Sequence, residues 1–344
     1  MSEESGSSIE DQRTPDLDEE SCLELEKVAK DSSGFAKVFL DCIILHSWIL
    51  WWGFVMFNIL CLAGMLVVTM VGERRKHEEW FWISFFTKTF ILMVIQLIGG
   101  WGVETHGWKV GYTRKCVHIG FFLLPELLDI LLPLPKEDAW VWALWNVLLI
   151  SLMLLMITRP IRTRLRFVQI MYAAIDREED RGLTMLYTLT QVPLTIVVIA
   201  GFSLFFQYTV DKQSWLLAPI IAVTFGDGLA EPVAVFWSEK EICGGTHTYE
   251  TCALCAGSRK FTRSYEGSAC VVVFTAIGVV VIYGAQTTVE FVSNIVIMPV
   301  TMALLEAVAP HSMDNPFLIT WGCVVMMISH GISRLFDITT STHP

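Results

Sequence analysis

The sequence predicts an all-α, polytopic integral membrane protein with eight or nine transmembrane helices. Hydrophobic residues fill 53% of 344 positions, charged residues only 17%, and the mean hydropathy is +0.54, a balance foreign to a water-solvated globule. Apolar stretches long enough to cross about 30 Å of hydrocarbon, roughly 20 residues each, recur along the chain. They fall at 47–71, 81–100, 116–134, 139–158, 184–207, 214–236, 268–286, 290–308 and 316–334. Lys88 interrupts the second stretch; Pro125, Glu126 and Asp129 interrupt the third.

In chain order, four regions are expected: an acidic tail (1–41), N-terminal membrane helices (42–112), a main membrane domain (113–336) and a C-terminal tail (337–344). The tail gathers Glu3, Glu4, Glu10, Asp11, Asp16, Asp18, Glu19 and Glu20, which supply much of the net charge of −11, and it reads as disordered and solvated. It has neither a basic segment leading into an apolar core nor the low acidity of a transit peptide, which favours the endoplasmic reticulum over a plastid membrane. From Cys22 to Phe39, the residues Leu23, Leu25, Val28, Phe35 and Val38 can line one side of a short interfacial helix. Of the nine cysteines four lie within spans, Cys61, Cys270 and Cys323 among them, and these read as small buried hydrophobes, not as a disulfide framework.

With nine spans, the N-terminus and the loops near 101–115, 159–183, 237–267 and 309–315 share one membrane face. That face holds 17 Lys and Arg against 6 on the other, so it is the cytosolic one. Four motifs fall there. Thr113-Arg114-Lys115-Cys116-Val117-His118 brings two cations and an imidazole to the mouth of a span, suited to phosphate oxygens or to snorkelling. Gly226-Asp227-Gly228-Leu229-Ala230-Glu231-Pro232 puts two carboxylates and irregular backbone at membrane depth, which requires a cavity, a cation or an ion pair. Asp227 is the candidate Mg²⁺ ligand or proton acceptor.

Arg259-Lys260-Phe261-Thr262-Arg263-Ser264-Tyr265-Glu266-Gly267-Ser268 gathers cations, hydroxyls and glycine at a helix entrance. It suits an anion or acidic lipid headgroups. In the fourth motif, Glu306 ends a span, Pro310 breaks it, and Asp314-Asn315-Pro316 can cap the next helix or face a metal or nucleotide. No GxxxxGK[ST] and no protein-kinase motif set occurs, so a nucleotide would need a site built from helix ends and loops. Cys243, His247, Cys252 and Cys255 are competent zinc ligands, but their C-x3-H-x4-C-x2-C spacing is unusual, and a zinc site is not expected.

The ordered set RK-x-x-H, GDGLAEP, RKFTRSYEGSA and EA-x-x-P-H-x-x-DNPF, spanning about 113–320, resembles the polyprenol kinase superfamily: phytol kinase, dolichol kinase and the CTP-dependent diacylglycerol kinases. The resemblance implies CTP-dependent phosphorylation of a lipid alcohol with Mg²⁺, membrane lipids as surroundings and no nucleic-acid partner. Asp227, Ala230 and Glu231 match the family's acidic D-x-x-A motif, Arg263, Glu266 and Gly267 its basic-x-x-EG motif, and Asp314 and Asn315 its DN pair. On that footing Asp227, Glu266 and Arg263 are the expected catalytic residues. Arg114, Lys115, His118, Arg259, Lys260, Ser264 and Gly267 are expected at the nucleotide, and Asp227, Glu231, Asp314 and Asn315 at the metal. The chain departs from the phytol-kinase pattern at Ala234 and Ser238, which replace glycines, and in the cysteines of 239–258. Other readings are a CTP-dependent diacylglycerol kinase, a phosphatidate cytidylyltransferase-like enzyme, and an inactive membrane-complex subunit or transporter.

Overall fold

The computed structural model describes residues 47–70, 78–131, 139–177, 184–240, 247–252, 260–309 and 314–341. The acidic tail, the interfacial helix expected at 22–39, and Arg259, Cys243 and Cys255 lie outside the described residues.

The fold is a bundle of α-helices. The first six are α1 (Ser47–Met70), α2 (Glu78–His106), α3 (Val110–Leu131), α4 (Ala139–Met156), the single turn α5 (Arg159–Arg162) and α6 (Arg166–Ala173). α7 (Thr184–Phe205) runs into a π-helical turn at Phe206–Val210. A 3-10 turn at Gln213–Leu216 opens α8 (Leu217–Ile221), which passes through a second π-helical stretch, Ala222–Asp227, into α9 (Gly228–Glu239). After a hairpin of β1 (Thr248–Cys252) and β2 (Lys260–Ser264) come α10 (Tyr265–Val281), α11 (Thr288–Val308) and α12 (Asp314–Ser341).

Among the described residues, Glu79–His106, Thr188–Val210, Ser214–Glu239, Thr288–Val308 and Asp314–Phe336 are long and apolar enough to cross a membrane. Trp52–Val68, Leu144–Met156 and Tyr265–Val281 are shorter apolar helices. The chain thus has the character of a multi-pass membrane protein. Three local features differ from expectation. α3 starts at Val110, which places Thr113, Arg114 and Lys115 inside the helix instead of before it. Residues 248–252 and 260–264, expected as loop, pair as antiparallel strands from Thr248 opposite Ser264 to Cys252 opposite Lys260, in keeping with the β-branched and aromatic residues Thr248, Tyr249, Thr251, Phe261 and Thr262. α12 continues to Ser341, through most of the expected tail.

α11 shows how the bundle is solvated. Glu290, Asn294, Met298, Met302 and Glu306, four residues apart, are all buried, while Val292, Val296, Val300 and Leu304 are exposed. The polar ends face protein and the apolar stripe faces outward, the reverse of a water-soluble helix. Glu290 accepts from Lys212 Nζ at 2.8 Å and lies 2.6 Å from His330 Nδ1. It also completes a capping box with Thr287. Lys88, the charge expected within a span, donates to Asn146 Oδ1 of α4 at 2.7 Å.

The elements that carry Gly226 and Gly278 approach their neighbours closely. A Cβ on Gly226 would meet the Val271 Cα at 2.9 Å, and one on Gly278 the Ala218 carbonyl oxygen at 2.7 Å, so α10 lies against the rod formed by α8 and the π-helical stretch. Trp215, Val223, Met298, Met302, Leu318, Cys323 and Met326 fill the space beside them.

Candidate functional site

The site is built where α3, α9, β2, α11 and α12 meet. α3 and α9 run side by side, and small residues permit it: Gly111 faces the Glu231 carboxylate, and Gly228 faces Ile119 and His118. Asp227 is the last residue of the π-helical stretch, whose wider turn shifts side-chain direction where a regular helix would not. Its Oδ2 accepts from Lys115 Nζ at 2.9 Å, and the same ammonium donates to the Asp227 carbonyl oxygen at 2.8 Å. His118 Nε2 lies 3.6 Å from Asp227 Oδ2 and 3.1 Å from the Val223 carbonyl oxygen.

A second buried pair stands beside the first. Arg263, carried by β2, places Nη1 2.9 Å from Glu306 Oε1, with side chains 14% and 5% exposed. Glu306 interacts electrostatically with Asp227 and Lys115 as well as with Arg263. Asp314, at the start of α12, interacts with Asp227, Lys115 and Arg263. Its Oδ1 accepts from the Asn315 backbone N–H at 2.9 Å and from the Gln191 side chain of α7. Five separate elements, α3, the π-helical stretch, β2, α11 and α12, therefore deliver Lys115, Asp227, Arg263, Glu306 and Asp314 to one neighbourhood. Two buried oxygens there, Thr224 Oγ1 and Asn315 Oδ1, have no hydrogen-bond partner among the described residues, and neither does Arg263 Nε. Such orphaned groups are costly unless a ligand or water meets them.

The remaining expected residues among the described ones are engaged in other contacts, although Arg114 still interacts electrostatically with Asp227. Glu231, expected at a metal, is clamped between Arg114, at 2.9 Å, and Arg177. Arg114, expected at the nucleotide, is thereby neutralised. Ser264 caps α10 by accepting from the Gly267 N–H at 3.1 Å, and Gly267 packs on Ala230. Glu266 Oε1 accepts from the His247 N–H at 3.0 Å and lies 3.0 Å from its Nδ1. Lys260 opens β2. The hairpin is tied down by Tyr249 Oη and Ser268 Oγ at 2.6 Å and by Thr251 donating to the Ala307 carbonyl oxygen at 2.7 Å, which fixes the strand that carries Arg263. Outside the spans, the exposed Lys109 ammonium is held above its usual range by its hydrogen bond to Glu239.

Glu306, Gln191 and Arg177 were not selected from the sequence as site residues. An ionisable side chain inside an apolar run was the available signal for Glu306; nothing local marks the other two. Among the described residues, no group of three His, Cys, Asp or Glu side chains stands together as a metal cage. No protein-family model, curated protein or solved structure matches the chain.

Proposed function

We propose that this chain is a lipid-alcohol kinase that transfers a phosphoryl group from CTP to an isoprenoid alcohol of phytol or dolichol type, in the endoplasmic reticulum membrane. In this reading the chain crosses the bilayer eight or nine times, the three shorter apolar helices included. The observation that carries the proposal is the gathering of two buried cations, Lys115 and Arg263, with the carboxylates of Asp227, Glu306 and Asp314 in one neighbourhood at the end of the apolar helices.

Mg²⁺ bound with a nucleotide takes one or two protein carboxylates and completes its shell with phosphate oxygens and water. The oxygens of Asp227, Asp314 and Asn315 fit that demand, and the metal would supply neutralisation of phosphate charge. Lys115 and Arg263 are placed to exchange carboxylate partners for phosphate oxygens, Arg263 through its planar fork. Asp227 would take the proton of the lipid hydroxyl as the hydroxyl oxygen attacks the γ-phosphorus, the bond to the β-phosphate breaks, and CDP departs. Positioning and charge supply most of the rate, because this transfer needs little covalent help from protein.

The assay is turnover of purified protein with CTP, ATP or UTP against phytol, dolichol and diacylglycerol. Asp227→Asn is expected to lose on the order of 100-fold or more in turnover. Full activity of that variant would remove Asp227 from the chemistry. The closed ion pairs favour one second reading, an inactive membrane-complex subunit whose charges only hold helices together. It predicts no nucleotide-dependent product. A CDP-lipid with pyrophosphate would mark a cytidylyltransferase instead.

A further inference from the structure

Between the ends of α2 and α4 the chain lays down a short basic segment that the proposed chemistry does not use. Arg159, Arg162, Arg164 and Arg166 occur within eight residues, interleaved with Pro160, Ile161 and Leu165 and followed by Phe167. α6 is wedged into the bundle on one side: Val168 packs with Ile150, Leu154 and Ile157 of the α4 end, and Met171 with Leu92, Leu149 and Met153. The other side faces out, with Leu165 and Phe167 each 39% exposed.

Geometry fixes the depth of this segment. Arg159 follows the apolar helix α4 by three residues, since α4 ends at Met156. Arg166 bonds Glu104 at 2.8 Å, two residues before the end of the candidate span Glu79–His106. In a chain whose apolar helices cross the bilayer, such helix ends are where a hydrocarbon core gives way to headgroups. Trp101 and Trp108, both exposed, flank that same helix end, as indole rings do at a membrane interface. Arg162 lies 3.7 Å over the Tyr172 ring, while the Arg164 side chain makes no hydrogen bond or ion pair among the described residues.

We propose that this arginine face is a docking surface for the anionic headgroups of bilayer phospholipids, with Leu165 and Phe167 entering the acyl boundary beside them. Positive charge alone would fit any acidic partner. The exposed leucine and phenylalanine between the arginines, at headgroup level, fit a lipid layer, since such a face gains from apolar burial and from phosphate contact together. The surface stands independently of the kinase reading.

The test uses the full chain in phosphatidylcholine vesicles carrying trace spin-labelled phosphatidylserine or phosphatidylcholine, and measures the relative association of each lipid with the protein. Preference for phosphatidylserine is expected, weakening with salt. It should fall about fivefold when one arginine is removed and further for two. Arg164→Gln/Arg166→Gln should lower it roughly 25-fold, and the lysine pair Arg164→Lys/Arg166→Lys should retain it. Arg164→Gln alone keeps the test readable should loss of the Glu104 contact impair folding of the double variant. Equal association of the two lipids with the wild-type protein, as an acidic protein partner would predict, overturns the proposal. So does a preference that survives both glutamine variants.

Discussion

Lys115 and Asp227 meet with side chains only 10% and 9% exposed, and the energetics of such a pair are lopsided. Making it returns little over an apolar pair of the same shape, whereas removing one partner strands the other and costs about 3–5 kcal/mol. Lys115→Met should therefore lower the thermal midpoint of the detergent-purified protein sharply. Lys115→Met/Asp227→Leu should recover most of the loss. A double variant no more stable than the single one would show that the charge pairing is not what the site's stability rests on. The same physics made these residues legible in the sequence, because a charge inside an apolar run has few explanations. It did not reveal their partners. That Glu231 faces Arg114 and Arg177 across the bundle, or that Gln191 of α7 holds Asp314, depends on contacts between residues distant in sequence, which no local pattern encodes.

At the scale of elements, the π-helical stretch Ala222–Asp227 is the part of the site most sensitive to volume. Gly226 lies against the backbone of α10, and backbone cannot turn aside as a side chain can. Gly226→Ala puts a methyl group 2.9 Å from the Val271 Cα, so the α10 contact must open. The expected cost is about 1–3 kcal/mol, read as a lower midpoint, together with loss of activity if Asp227 moves with the helix. Unchanged stability would mean that the two elements slide freely. The glycines flanking Asp227 were readable as a sign of irregular backbone. The π geometry was not, nor was the hairpin that brings Arg263 in. Composition announces both a helix break and a strand only weakly, and here tertiary anchors, Thr251 on Ala307 and Tyr249 on Ser268, decide the outcome.

The whole molecule is organised by α11, which carries a buried acid at each end. Glu290 and Glu306 are 16 residues apart in one helix, about 24 Å at the rise of an α-helix, most of the thickness of a hydrocarbon core. Glu306 belongs to the candidate site with Arg263. Glu290 is held by Lys212, from the connection after α7, and by His330 of α12. Helix length, apolar composition and the clustering of charge were enough to anticipate a helical membrane protein. The count of crossings was not fixed by them, since α3 carries Arg114 and Lys115 inward and three other apolar helices are short. Sidedness can be tested directly. His247→Cys, next to the candidate site, and Gly284→Cys, in the turn before α11, should be labelled by a membrane-impermeant maleimide from opposite faces of sealed vesicles, with labelled peptides identified by mass. Labelling of both from one face would place the two ends of α11 on the same side of the bilayer. The buried acids would then no longer mark opposite membrane surfaces, and the candidate site would lose the place at one membrane surface that the kinase reading gives it.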